Sequence, residues 1–219
     1  MNDGPTQLRT GPGPVVTRIG RLINNTVVRA PWLWPLLRGR VTRFFDRLAG
    51  GWDERTQSDR PERVAPLMAA LDAMERTPKR VLEVGTGTGR AAFLIADAYP
   101  DAEVLGIDIA PRMIAQARAK LKPEHGDRVR FEVADVAEAG DIGHFDLVAM
   151  FNMPPFFDAV ANLLEPGGYV AWGSSFGTKT PFYTSERALR RGFEKHGLRT
   201  VRAGTAGMGT YYLAERSEA

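Results

Sequence analysis

The sequence predicts one α/β domain, a mostly parallel seven-stranded sheet with an antiparallel last strand, helices on both faces and a helical N-terminal extension. Three observations carry this expectation. From Arg80 onward, short runs rich in Val, Leu and Ile alternate with helix-length segments, the pattern of parallel βαβ units. The first of those runs ends in three glycines at alternate positions, Gly85, Gly87 and Gly89. Upstream, the apolar spacing is helical. At 219 residues there is room for one such domain and a modest extension. With 43% apolar and 25% charged residues, the composition is that of a folded globular chain.

Residues 1–14 hold Gly4, Pro5, Gly11, Pro12, Gly13 and Pro14, a composition expected to form a disordered tail. Residues 15–76 are expected to form a helical extension or lid, and 77–219 the core domain. Within the extension, Val15 to Val28 reads as a helix, with Ile19, Leu22, Ile23 and Val27 at helical spacing. Pro31 and Pro35 interrupt it around Trp32 and Trp34. A second helix carries Leu36, Leu37, Val41, Phe44, Phe45 and Leu48 on one side, with Arg38, Arg43 and Arg47 mostly on the other, and ends at Gly50-Gly51. A third runs from Pro61 to about Met74.

In the core, strands are expected at 80–84, 103–108, 128–133, 145–151 and 169–174, with helices at 90–99, 111–121, 158–164 and 185–196. Two closing runs, 199–202 and 210–214, with Gly204, Gly207 and Gly209 between them, read as a hairpin that adds an antiparallel strand.

Composition also excludes. The absence of cysteine removes disulfides, thiolate catalysis and cysteine metal sites, and His125, His144 and His196 lack ligand spacing, so no metal is expected. No apolar run approaches the ~20 residues that cross a bilayer. The N-terminus shows no basic-then-apolar leader, and a cytoplasmic location is expected. The net charge of +3 is unevenly placed. Residues 1–47 hold eight arginines against Asp3 and Asp46, whereas the remainder is slightly acidic. The basic character therefore belongs to the extension.

The sharpest motif is Val81-Leu82-Glu83-Val84-Gly85-Thr86-Gly87-Thr88-Gly89, a strand running into a glycine turn and then a helix. Glycine lets the backbone turn sharply and lets a ligand approach closely. In an open parallel sheet this first strand-to-helix turn lies at the carboxyl edge, where ligands bind. Asp108, at the end of the second strand, offers a carboxylate able to accept both hydroxyls of a ribose. Asp135 follows the third strand and can accept from an adenine amino group, with Ile109 and Val136 as apolar faces for the ring.

The Glu-x-Gly-x-Gly-x-Gly turn, Asp108, Asp135 and the later Leu163-Leu164-Glu165-Pro166-Gly167-Gly168-Tyr169-Val170 segment resemble, in order and spacing, the successive motifs of class I methyltransferases. The resemblance covers residues 80–215. It implies a Rossmann-like fold whose final strand is inserted antiparallel between its neighbours, with S-adenosyl-L-methionine as cofactor. It places Glu83 beneath the turn near the cofactor's amino group, Gly85 and Gly87 at the methionine part, Asp108 at the ribose and Asp135 at the adenine. Thr86, Gly89, Ile109, Val136 and Phe151 complete the expected cofactor site. A dinucleotide oxidoreductase shares the sheet and the ribose carboxylate. Its loop reads Gly-x-Gly-x-x-Gly, and here the third glycine comes one residue earlier.

Methyl transfer from a sulfonium needs alignment and exclusion of water more than a dedicated acid or base, so no catalytic residue is assigned. Acceptor-facing residues are sought after the fourth strand, in Phe151-Asn152-Met153-Pro154-Pro155-Phe156. This stretch resembles the Asn-Pro-Pro-aromatic tetrad of methyltransferases that act on planar amino groups, except that Met153 intervenes. Asn152, Pro154 and Phe156 are the acceptor candidates, beside the alternative of a rigid turn with an aromatic core. Trp52, in a segment resembling one that precedes the core in small-molecule methyltransferases, either closes over the cofactor or simply packs.

The function expected is S-adenosylmethionine-dependent methyl transfer to a small organic molecule by direct displacement. Two alternatives stand beside it: a peripheral-membrane lipid or isoprenoid methyltransferase, and a non-catalytic adenosyl-cofactor-binding protein. The basic helices with Trp32 and Trp34 are read as a lid, a membrane contact or a packing or dimer element. Nucleic acid is not expected, because the core is slightly acidic and lacks a basic aromatic groove.

Overall fold

A computed structural model describes residues 14–140 and 142–218, with side chains from Thr17 onward. The expected tail lies outside the described residues apart from Pro14. Four helices come first: α1 (Pro14–Arg29), α2 (Trp34–Leu48), α3 (Trp52–Thr56) and α4 (Pro61–Asp72). The alternating region then runs β1 (Arg80–Val84), α5 (Arg90–Ala98), β2 (Glu103–Asp108), α6 (Pro111–Ala119), β3 (Val129–Val133) and β4 (Phe145–Phe151). It closes with α7 (Phe157–Asn162), β5 (Leu164–Ser174), α8 (Glu186–Glu194), β6 (Leu198–Ala206) and β7 (Gly209–Arg216).

The seven strands form one sheet in the order β3-β2-β1-β4-β5-β7-β6. The first five are parallel, and β7 is antiparallel to both β5 and β6, between which it lies. This is the Rossmann-like arrangement with an inserted last strand. Val84 sits level with Ile107 of β2 and Met150 of β4, so the turns leaving β1, β2 and β4 open on one edge.

Both faces are covered, which explains why the central strands are apolar throughout rather than alternating. On one face α4, α5 and α6 bury Leu67, Leu71, Ala92, Ile95 and Ile114 against Val81, Val104, Leu147 and Leu213. On the other, α7 and α8 bring Val160, Leu189 and Phe193 to Leu82, Val148, Trp172 and Tyr212. Val27 of α1 and Trp34 and Val41 of α2 join this second cluster. The helices of the N-terminal extension therefore rest on the sheet's own core. Helix α4, though it precedes the alternation, packs on β5, β6 and β7 and forms part of the sandwich.

Several boundaries differ from expectation for local reasons. Trp34 opens α2, because the Pro31–Leu33 turn is a single 3-10 turn that hands straight over to it. Helix α3 was not foreseen: Gly51 and Gln57, both left-handed, fence off one short helix after the Gly50-Gly51 stop. Strand β5 starts five residues early, at Leu164, with its register shifted between Phe145 and Leu147 of β4. The closing hairpin is longer than expected, because Gly204 and Gly209 are strand residues and only Gly207 and Met208 make the turn. A Cβ on Gly209 would stand 1.8 Å from the Ser174 carbonyl oxygen. Glycine there records close strand approach rather than a loop.

Candidate active site

The glycine turn is built by the end of β1. Gly85, Gly87 and Gly89 all have positive φ (70°, 55° and 86°), a region L side chains rarely adopt. Two further demands act on the outer pair. A Cβ on Gly85 would stand 2.6 Å from Met153 Sδ, and one on Gly89 would meet the Phe131 ring at 2.9 Å. Gly87 differs, because a Cβ there would meet nothing within 4 Å. The turn is thus packed at both ends and open in the middle.

Asp108 holds this turn in place. Its Oδ2 accepts from the Gly87 N–H at 2.9 Å and its Oδ1 from the Ala110 N–H at 2.8 Å, joining the β1 turn to the start of α6. The Thr86 N–H donates to the Ile107 carbonyl at 2.9 Å, so turn and second strand move as one unit. Burial pushes the Asp108 carboxyl above its ordinary range, opposed by those two backbone donors.

Beneath the turn lies Glu83, 1% exposed. Its Oε2 has no hydrogen-bond partner, and neither has Thr86 Oγ1. Burial, opposed by the nearby Thr86 hydroxyl and reinforced by the Asp108 charge, pushes the Glu83 carboxyl up to about 8. A buried acceptor left unmatched costs roughly 1–3 kcal/mol, so an orphan here marks a place where a donor is wanted.

Asp135 is occupied more fully than the sequence suggested. Its Oδ1 accepts from the Ala137 N–H at 3.0 Å and its Oδ2 from the Trp34 indole N–H at 2.8 Å, with Arg38 Nη1 3.5 Å away. Trp34 is 5% exposed and meets the Phe156 ring edge-to-face at 5.2 Å. Val136 is buried and Ile109 half-buried in the same cluster. The carboxylate assigned to an adenine amino group is thus held by α2.

Other candidates are placed differently. The Asn152 amide does not point its polar atoms to the turn: Nδ2 donates to Ser175 Oγ at 2.9 Å and Oδ1 accepts from the Ser175 N–H at 2.8 Å. Its φ of 57° lets the chain turn sharply out of β4, which asparagine tolerates better than most residues. Phe151 packs over Gly173 on the α4 face, on the opposite side of the sheet from Trp34. Its half-buried ring joins the core cluster of that face. Pro154 and Phe156 are buried. Trp52 packs edge-to-face on Phe45, 5.7 Å away, against Ala110 and Met113 at the start of α6.

Sequence reasoning missed three contributors. Met153, taken as an intruder in a motif, is the side chain lying on Gly85. Trp34 was read as part of a lid, a membrane contact or a packing element and given no partner, yet a buried indole needs an acceptor, and Asp135 is one. Asp53 ties α3 to the turn: Thr88 Oγ1 donates to its Oδ1 at 2.6 Å and Lys120 pairs with its Oδ2. Although burial raises the Asp53 carboxyl, Lys120 and the Thr88 and Ser58 hydroxyls hold it below the ordinary value. The Phe44 to Arg55 resemblance pointed at this segment but singled out the tryptophan.

The fold and the turn together define a class I nucleotide-edge site. Residues 81–168 match the family model described as a methyltransferase domain. A demethylmenaquinone methyltransferase of Thermus thermophilus is 40% identical over 104 residues, 44% of this chain and 47% of that protein. A trans-aconitate 2-methyltransferase of Methylobacterium radiotolerans is 32% identical over 124 residues, 53% and 45% of the two chains. Among solved structures, a chain from the complex of the Haloferax volcanii Trm112 methyltransferase activator with its methyltransferase superposes with a TM-score of 0.66. Its identity is 17%, over 79% of this chain and 97% of that one. Over residues 81–168 this chain resembles the class I S-adenosylmethionine-dependent methyltransferases. It spans about half the length of the curated relatives it matches.

Proposed function

We propose that the chain is a cytoplasmic methyltransferase that moves a methyl group from S-adenosylmethionine to a small organic molecule. The observation that carries this reading is the unpartnered Glu83 Oε2 beneath an open, positive-φ glycine turn pinned by Asp108. That arrangement suits a ligand bearing an ammonium group beside a ribose. Glu83 would take the amino group and the backbone of Gly85, Thr86, Gly87 and Gly89 the methionine part. The Asp108 carboxylate, with lone pairs left beyond its two backbone bonds, would take the ribose hydroxyls. Asp135, Ile109 and Val136 would form the adenine end.

When bound, the cofactor supplies a sulfonium methyl open to in-line displacement by the acceptor. The chain's own contribution is orientation and dryness: Met153 closes the methionine side of the turn, and Trp34 with Phe156 closes the adenine side. Pro154 and Phe156 remain acceptor-side candidates through apolar contact, and Asn152 shapes that side through Ser175. The two relatives carry different acceptors in their names, demethylmenaquinone and trans-aconitate. The matched domain therefore travels with the donor and not with one acceptor. Their shared enzymatic character favours a catalyst over a non-catalytic cofactor-binding protein.

A second reading, a peripheral-membrane enzyme acting on a lipid or isoprenoid acceptor, is favoured by exposed apolar side chains on α1 and α2. No helix among the described residues is long and apolar enough to cross a membrane.

Calorimetry should register binding of S-adenosylmethionine or its demethylated product, and Asp108→Ala should weaken it by about 1.5–3 kcal/mol through loss of a charged acceptor. An intact, folded chain that binds neither compound would overturn the assignment. Methyl transfer to any member of a small-molecule acceptor screen would then establish the reaction.

A further inference from the structure

Nine large apolar side chains stand exposed among the described residues, and six of them sit together on α1, the Pro31–Leu33 turn and α2. They are Ile19, Leu22, Trp32, Leu33, Leu36 and Phe44, with Trp32 73% exposed. Helical spacing puts them on the side away from the sheet. In α2 the outward set is Leu36, Arg40, Arg43, Phe44 and Arg47, while Trp34 and Val41 point into the core. In α1, Arg18, Ile19, Leu22 and Arg29 are outward, while Asn24 and Val27 are inward.

The charge on this crest has one sign. Arg18, Arg29, Arg40, Arg43 and Arg47 are exposed and form no ion pair among the described residues. Asp46, the single acidic residue of residues 14–51, accepts from the Arg112 N–H at 2.9 Å and so faces α6. Arginines around a strip of Trp, Leu and Phe match an anionic interface with a wet polar layer over an apolar one.

We propose that the α1–α2 crest docks on the surface of an anionic lipid bilayer, with Trp32, Leu33 and Leu36 entering the headgroup layer and the arginines meeting lipid phosphates. A second copy of the chain fits the crest poorly, because a symmetric contact would bring two unpaired arginine sets together. Nucleic acid would use the arginines but not Leu22, Leu33 and Leu36, which offer no stacking faces. Docking also has a consequence for the site. Trp34, on the inner side of the same helix, is the residue that reaches Asp135, so the docked helices are those that cover the adenine end. The surface stands independently of the methyl-transfer reading; its use in delivering an acceptor rests on the membrane form of that reading.

The test is co-sedimentation of the full chain with vesicles of phosphatidylcholine alone or mixed with phosphatidylglycerol. The chain should pellet with the anionic vesicles alone and be released as salt screens the arginines. Arg40→Ala and Arg43→Ala should each lower partitioning about fivefold. Trp32→Ala and Leu36→Ala should weaken it while leaving thermal unfolding unchanged, since both side chains are exposed. No pelleting at low salt, equal pelleting with neutral vesicles, or tighter binding of a single-stranded RNA oligonucleotide would overturn the proposal. Light scattering showing that the same substitutions dissociate a dimer would also overturn it. S-adenosylmethionine calorimetry without vesicles reports on the methyl-transfer reading separately, so the two ideas fail by different measurements.

Discussion

At the residue scale, the proposed cofactor contact of Glu83 would couple proton and ligand. Its carboxyl is held at about 8 by burial, so at pH 7 it is mostly protonated in the free chain. An ammonium placed against it favours the charged form and drives the proton off. Binding of S-adenosylmethionine at pH 7 should therefore release up to about one proton, seen as a buffer-dependent calorimetric enthalpy. Glu83→Gln should bind more weakly and lose the buffer dependence. The same shift has a stability sign: a carboxyl raised on folding costs stability as pH climbs from its unfolded value towards 8. The ligand-free Glu83→Gln chain should then gain about 4 kcal/mol over the parent at pH 8 and little at pH 4, as read from denaturant midpoints. Trp34 offers a second residue-scale test. Trp34→Phe keeps an aromatic edge near Phe156 but removes the donor to Asp135, and chemical unfolding should show a loss of about 1–3 kcal/mol.

At the element scale, the segment leaving β4 is organised by three hydrogen bonds from Asn152 across to the end of β5. Asn152 gives both its amide atoms to Ser175 and supplies the positive φ, while its backbone N–H donates to the Gly173 carbonyl at 2.9 Å. Asn152→Ala loses the bridge and strains the backbone together; Asn152→Gly loses the bridge alone. Thermal unfolding should rank them accordingly, with Ala the less stable by about 0.5–1.5 kcal/mol. Equal stability would mean that the turn relaxes and φ is not a constraint. The motif resemblance offered Asn152 as an acceptor candidate, and both its amide atoms bond Ser175. A sequence motif gives the address of a side chain, whereas its partner is chosen by what the neighbouring strand brings within 3 Å.

At the scale of the whole molecule, the extension is fastened to the sheet at separate points. Arg21 donates to the Thr178 carbonyl at 2.7 Å and Asn24 to the Tyr183 carbonyl at 3.1 Å, both in the loop after β5. Trp34 reaches Asp135 after β3, and Asp46 caps the start of α6. One element thus bridges the loops after β2, β3 and β5 on the edge where the glycine turn opens. Its inner side covers the proposed cofactor site and its outer side carries the arginines and exposed apolar groups.

By itself the sequence determined the strand–helix alternation, the closing antiparallel hairpin and the glycine turn with Glu83, Asp108 and Asp135 at the strand ends. Those features are local: period, glycine spacing and carboxylates at fixed offsets are written in consecutive residues. Tertiary structure decided which of those groups are free and which are spent. Asp135 meets Trp34 across 101 positions and Asn152 meets Ser175 across 23. Met153 comes to lie on Gly85 from beyond the fourth strand, and Phe151 turns to the far face because side chains alternate along a strand. Hydrogen-bond partners separated by that much chain are chosen by packing, which no local period records.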